Sequence, residues 1–361
     1  MPDLFEYLRW RGDIPFEQVP LGEVDNLIFS LLSYAKYDGI VPGFEAKQEI
    51  TLASAAEEYD RIHYPPDDDS LGILVPSRNI LRLLREAGAT HRFGSVRICG
   101  YVDKLDDAEQ KQFSALTFLL PDGTVYAAFR GTDDTIVGWK EDFNMSYRSP
   151  IPSQLEATAY LNRAGRYHSG PMYVGGHSKG GNLAVYAGVH CLREVKERLL
   201  AVYNNDGPGF ERDVMYEEGY RELSAKIRTY IPAYSVVGLL FERLEEYTVV
   251  ESREHKIMQH DGFSWEVLGG SFVRAEDTLP DSKRIDKTMK AWVASIPKED
   301  RETYVNAVYA MLTSTEAKTL SELSRSGLKL IRAYLTLDSA SRDMIHETTK
   351  AFLSSYKKNK E

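Results

Sequence analysis

Ser178 is the residue of this chain whose surroundings most suggest chemistry. It lies in the stretch YVGGHSKGGN, in which Gly176, His177, Ser178 and Gly180 fit the pattern G-x-S-x-G. The small residues of that pattern permit a sharp strand-to-helix turn that presents a serine hydroxyl above a sheet edge. Short patterns also arise by chance, and a hydroxyl in a glycine-rich bend is the alternative. An apolar stretch before the pattern and an Ala/Leu/Val-rich stretch after it favour the nucleophile.

A serine nucleophile needs a base within hydrogen-bond reach and a third group that orients the base. In α/β-hydrolases the base follows the serine and the acid along the chain. The histidines after Ser178 are His190, His255, His260 and His346. The first would lie about three turns along the next helix, and the last lies in a helical tail. His260 is preferred because it follows the last predicted strand in a glycine-containing loop, whereas His255 lies in a charged stretch typical of solvent exposure.

The candidate acid is Asp206 in the stretch NNDGPGF. It comes directly after the strand that follows the serine, at the carboxyl end where α/β sites assemble. A turn-forming aspartate before Gly207 is the alternative. Asp261 is too close to His260 in sequence to be the first choice.

Alternating strands and helices must position these residues. Helices are predicted over 25–36 behind an Asp25 cap, 78–87, 154–164 and 179–197, and a polar stretch interrupts the pattern at 64–70. Strands are predicted over 96–102, 114–120, 124–129, 171–176, 199–205, 226–231 and 246–250. This alternation predicts an α/β fold with a mainly parallel central sheet.

Three regions are expected along the chain. Residues 1–94 form an N-terminal helical segment that packs on the core, and residues 95–280 form an α/β-hydrolase core. Residues 281–361 form a C-terminal helical region, because apolar residues recur there at helical spacing.

The composition excludes several classes of protein. A net charge of −10 without a basic block makes nucleic acid an improbable partner. Two cysteines, Cys99 and Cys191, are too few for a disulfide framework and are expected to be small core residues. No secretory signal and no stretch long enough to span a bilayer are evident, so a cytoplasmic protein is expected.

The segments AAFRGTDDTIVGWKED at 127–142 and VGGHSKGGNLAVY at 174–186 resemble class 3 lipases. The resemblance is closer still to a family of uncharacterised bacterial lipase-like proteins within the α/β-hydrolases. It implies that Thr132 and the backbone N–H of Lys179 form the oxyanion hole. It also implies that Trp139 belongs to a lid and that Asp142 steadies Thr132. Core packing explains the apolar residues of the lid segment equally well.

The sequence departs from class 3 lipases at two positions. Their acid usually follows the next strand, where Ser235 stands here, and the motif NNDGPGF resembles an arrangement in which the acid comes earlier, at Asp206. Lys179 occupies an elbow position at which many lipases have an apolar residue.

Together these residues predict a serine hydrolase that cleaves a small-molecule acyl ester through an acyl-enzyme, with no metal or organic cofactor. Thioesterase or acyltransferase chemistry would use the same parts. A catalytically weak hydrolase fold that serves as a binding or scaffold module is the rival hypothesis. The C-terminal helices, including residues 328–335, could contact a protein partner or a membrane surface, although a packed helix explains their apolar stripe better.

Overall fold

The computed structural model of the protein describes residues 2–63, 77–315, 317, 319, 322 and 327–358. Its main sheet has eight strands that lie side by side in chain order. They are β1 (Ile50–Thr51), β2 (Arg97–Asp106), β3 (Lys111–Leu119), β4 (Val125–Phe129), β5 (Met172–His177), β6 (Leu199–Asn205), β7 (Ile227–Pro232) and β8 (Tyr247–Val250). Strands β1 to β4 pair antiparallel, and β4 to β8 pair parallel. A small antiparallel hairpin, β9 (Val267–Leu268) with β10 (Ser271–Phe272), follows.

Helices occupy both faces and the C-terminal end of the chain. They are α1 (Leu4–Arg11), α2 (Glu23–Leu32), α3 (Leu52–Ile62), α4 (Ser77–Gly88), α5 (His91–Gly94), α6 (Ile136–Asn144), α7 (Pro152–Tyr167), α8 (Lys179–His190), α9 (Arg193–Lys196), α10 (Arg212–Met215), α11 (Glu218–Ser224), α12 (Pro280–Ser295), α13 (Lys298–Thr313), α14 (Gly327–Thr336) and α15 (Ser339–Lys358).

The parallel strands have different partners on their two faces. Crossovers between parallel strands are right-handed, so successive connections in one direction place their helices on the same side. On that side Leu161 of α7 and Leu183 of α8 pack in one core with Val174. On the other side Phe29 of α2 packs against Tyr126 of β4, with ring centroids 5.2 Å apart. The chain therefore has the α/β fold with a mainly parallel sheet that its alternation of elements predicts. Its arrangement is that of the α/β-hydrolase fold that the resemblance implies.

Helix α2 differs from its prediction because Gly22, and not Asp25, is its N-cap residue. The helix begins at Glu23, and the Asp25 carboxylate reaches back to accept the Gly22 N–H at 2.8 Å. The same carboxylate forms a fully buried ion pair with Arg92, 2.6 Å between oxygen and nitrogen. Ser33 caps the helix, so it ends earlier than predicted.

The long helix predicted after Ser178 is interrupted. Helix α8 ends at His190, and the extended backbone of Cys191 separates it from α9. The Asn162 side chain accepts the Leu192 N–H at 2.8 Å, so a tertiary contact replaces a helical hydrogen bond there. Cys191 and Cys99 are free and buried. The polar stretch 64–70 lies outside the described residues.

The C-terminal helices pack on one another through Trp292 of α12. Its ring meets Tyr304 of α13 and Phe352 of α15 edge-on, at centroid distances of 6.1 and 5.5 Å. Its indole N–H also donates to the Thr348 carbonyl at 2.9 Å. Within the described part of the chain, none of the helices is both long and apolar enough to cross a membrane.

Candidate active site

Ser178 lies on a sharp turn between β5 and α8, with φ of 57° and ψ of −134°. A non-glycine residue pays about 1–3 kcal/mol for such a conformation, and the surrounding packing must enforce it. Glycines permit that packing: a Cβ on Gly180 would lie 2.1 Å from the Phe129 carbonyl oxygen. One on Gly176 would lie 2.3 Å from the Gly180 carbonyl carbon. The turn therefore holds the serine away from the strand in a strained geometry.

His260 and Asp206 meet, although they are far apart in sequence. Asp206 follows β6 with φ of 52°, and His260 ends a 3₁₀ helix, Lys256–His260, after β8. His260 Nδ1 lies 2.6 Å from Asp206 Oδ2, and both side chains are buried. Because a carboxylate accepts, Nδ1 carries the proton and Nε2 is left with the lone pair that a base needs. Ser178 and His260 line the same cavity.

Ser235 occupies the position at which class 3 lipases usually have their acid, and here its side chain supports Asp206. Its hydroxyl donates to Asp206 Oδ1 at 2.6 Å, so both carboxylate oxygens have a donor. Ser282, in the first turn of α12, then anchors Ser235: its hydroxyl donates to the Ser235 carbonyl at 2.5 Å. From the sequence, Ser235 is only the position of a missing acid, and Ser282 carries no sequence signal. A chain of hydrogen bonds thus connects the C-terminal region to His260.

His177 contacts both the backbone and the ring of the candidate base, His260. Its Nε2 lies 2.7 Å from the His260 carbonyl oxygen, and its ring centroid lies 4.6 Å from that of His260. Burial, with the nearby His260 charge, lowers the pKa of His177 to about 3. The neutral ring donates through Nε2, so Nδ1 accepts from the Tyr34 hydroxyl at 3.2 Å. The role of Tyr34 could not be found from the sequence.

The residues expected at the oxyanion hole lie beside Ser178. Thr132 and Lys179 line the same cavity, and the Thr132 hydroxyl donates to Asp142 Oδ2 at 2.6 Å. Because the Thr132 hydroxyl already donates its proton to Asp142, the backbone N–H of Thr132 is the group that could donate to an oxyanion. Lys179 is the first residue of α8, so its N–H has no acceptor within the helix.

The Lys179 side chain is fully paired. Its ammonium donates to Glu141 Oε2 at 2.9 Å and to two oxygens of Gln112 at 2.8 and 2.9 Å. The Glu141 carboxylate also accepts backbone N–H groups of Gln112 and Ser153. The lysine at this elbow position therefore belongs to a buried ion pair between α8 and α6, and its charge is already compensated.

Helix α6 is the segment for which a lid and core packing were both considered. Ile136 and Val137 are buried in packing, whereas Trp139 and Phe143 line the same cavity as Ser178. The lid role stays a prediction. The cavity has a volume of about 1140 Å³. Such a volume exceeds the ~300–1,000 Å³ of most ligand pockets, so the site can take a substrate of considerable size.

Asp142 makes the stability of the protein depend on pH. Burial raises the pKa of Asp142 to about 6, against an ordinary value of 3.8. The folded state therefore binds the proton more tightly than the unfolded state, and this contribution to stability is lost as pH rises from about 4 to about 6. Asp142→Asn removes this titration. We therefore expect the unfolding free energy of the variant, relative to that of wild type, to increase by roughly 2–3 kcal/mol between pH 4 and pH 7.

Urea unfolding at both pH values measures that gain. Asp261, whose pKa burial also raises to about 6, remains in both proteins and cancels from the difference. An advantage of the variant that is the same at both pH values would contradict the assignment.

Parts of the chain are similar to known proteins. The Mbeg1-like family model matches residues 87–310. The Rhizomucor miehei lipase in a propeptide complex is 18% identical, with a TM-score of 0.33 over 43% of this chain and 57% of that chain. M37 lipase is 16% identical, with a TM-score of 0.35 over 59% of this chain and 68% of that chain. The chain thus matches little more than half the length of the Rhizomucor lipase, and no curated protein matches it. Because the family model matches more than half of the chain, the protein belongs to the Mbeg1-like family.

Proposed function

We propose that this protein is a serine hydrolase that cleaves carboxylic esters through an acyl-enzyme intermediate. The observation that carries the proposal is the 2.6 Å contact between His260 Nδ1 and Asp206 Oδ2, at a cavity that Ser178 also lines. A serine on a strained turn that shares a cavity with a carboxylate-oriented imidazole has the parts that activate a hydroxyl at neutral pH.

Each residue then has one role in the reaction. His260 Nε2 takes the hydroxyl proton as Ser178 Oγ attacks the acyl carbonyl, and Asp206 stabilises the imidazolium that forms. The backbone N–H groups of Thr132 and Lys179 donate to the negative oxygen of the tetrahedral intermediate. His260 returns the proton to the departing alcohol. A water molecule, activated by the same imidazole, then releases the acid and regenerates the serine.

The rival hypothesis is a binding module that has kept a hydrolase fold. It predicts an acid too far from the histidine to orient it, because Ser235 replaces the usual aspartate. The Asp206 contact lies within hydrogen-bond range, and Ser235 adds a donor to that carboxylate. Both observations favour the hydrolase.

Labelling by a fluorescent fluorophosphonate tests the proposal, because this reagent reacts with activated serines. We expect the wild-type protein to be labelled and Ser178→Ala not to be labelled. Ser146→Ala is a matched control, because Ser146 also lines the cavity but has no histidine partner among the described residues. Failure of folded wild-type protein to react, with and without detergent, would favour the binding module.

A further inference from the structure

The C-terminal helices form a wall of the candidate active-site cavity. Met289, Trp292 and Val293 of α12 line it, as do Tyr304 and Val305 of α13. Ser178 and His260 line the same cavity. Apolar and aromatic side chains make up most of this wall, so it offers an aliphatic group a surface that excludes water.

The wall is attached to the hydrolase core on two sides of the cavity. On the α6 side, the Lys140 ammonium lies 4.0 Å from the ring centroid of Tyr309, and the Arg301 guanidinium donates to the Ser146 carbonyl at 2.7 Å. On the opposite side, Lys298 pairs with Glu211 at 3.2 Å. With Trp292 packed between neighbouring helices, these contacts make the wall a fixed part of the site.

The cations of the wall are not available to a charged ligand. Arg301 also donates to the Ile296 carbonyl at 2.9 Å, and Lys290 pairs with Asp286 at 3.1 Å. Lys179, beneath the cavity, is compensated by Glu141. Arg212 also lines the cavity, but six acidic side chains outnumber the four lysine and arginine side chains of the lining. A neutral, elongated apolar group therefore suits the cavity better than a phosphate or a carboxylate.

We propose that the face of α12 and α13 that lines the cavity is the acyl-chain subsite and sets the length of chain that the enzyme accepts. The proposal rests on the function proposed above. It assigns the substrate class as esters of long aliphatic acids. Each methylene buried against the wall strengthens binding of the reacting ester, so kcat/KM rises with chain length until the wall ends.

Substituting Val293 tests the proposal, because Val293 is partly buried and lines the cavity. We expect wild-type kcat/KM to rise from p-nitrophenyl butyrate to the dodecanoate. Val293→Trp should lower the dodecanoate-to-butyrate ratio of kcat/KM about tenfold or more. Ala291→Trp is the matched control, since Ala291 is exposed on the same helix and should leave the ratio unchanged.

The outcomes separate this proposal from the function on which it rests. Butyrate hydrolysis and thermal unfolding report whether each variant folds, and Met289→Trp provides a second obstruction of the same wall. If Val293→Trp, Met289→Trp and wild type hydrolyse esters with the same dodecanoate-to-butyrate ratio, the subsite proposal is wrong. The proposed hydrolase function is then unaffected. If no ester is hydrolysed, binding of a neutral fluorescent dodecanoyl ester decides. Binding weakened about tenfold by Val293→Trp, but not by Ala291→Trp, would support the subsite alone, and binding equal in all three would overturn it.

Discussion

Asp206→Asn should lower kcat/KM for ester hydrolysis by about 10³–10⁴-fold, although Asp206 touches no part of the substrate. An amide in place of the carboxylate can no longer stabilise the imidazolium of His260, and it favours the wrong tautomer of the ring. Ser178→Ala and His260→Ala should each cost about 10⁶-fold, because they remove the nucleophile and its base. Steady-state kinetics with p-nitrophenyl butyrate measures all three, and circular dichroism shows that the variants are folded.

Substituting Ser235 tests the support that Asp206 receives without removing the Asp206 carboxylate. Ser235→Ala removes one hydrogen bond to a buried carboxylate, so we expect a loss of about 10–100-fold in kcat/KM. If Asp206→Asn cost no more than Ser235→Ala, Asp206 would not be the orienting acid.

Lys179→Met should lower the free energy of unfolding by about 3–5 kcal/mol, because it leaves the Glu141 carboxylate buried and unpaired. The methionine fills much of the same space, so the loss comes from the uncompensated charge and not from a cavity. The backbone N–H assigned to the oxyanion hole is unchanged by this substitution. Urea unfolding followed by circular dichroism measures the effect.

Two further variants identify the cause of that loss. The double variant Lys179→Met/Glu141→Gln carries no charge at either position. We expect it to recover much of the unfolding free energy that Lys179→Met loses. Arg193→Ala breaks an exposed pair with Glu197 and should cost less than about 1 kcal/mol. A Lys179→Met variant as stable as Arg193→Ala would show that the buried pair contributes nothing.

The fold could be predicted because its signals are local. Pro121 and Gly123 mark the turn between β3 and β4, and the strand predicted over 199–205 coincides with β6. Errors occurred where tertiary contacts override local preference. Asp25 has the chemistry of a helix cap, yet it lies inside α2, where it pairs with Arg92 from another helix. No local pattern contains that contact.

The candidate site could be predicted to a lesser extent. Ser178 and His260 could be proposed from spacing and chain order, and Asp206 from its place after a strand. The supporting groups could not, because Ser235, Ser282 and Tyr34 are ordinary residues until the fold brings them to the acid and the base. The cavity wall likewise depends on how α12 and α13 dock, which their apolar stripes do not specify.

Trapping the acyl-enzyme tests the central proposal most directly. Wild-type protein mixed with p-nitrophenyl butyrate and quenched in acid should carry one butyryl group, and peptide mass spectrometry should locate it on Ser178. Asp206→Asn should accumulate the group more slowly, and Ser178→Ala should not carry it. A butyryl group on another residue, or its persistence in Ser178→Ala, would contradict the mechanism.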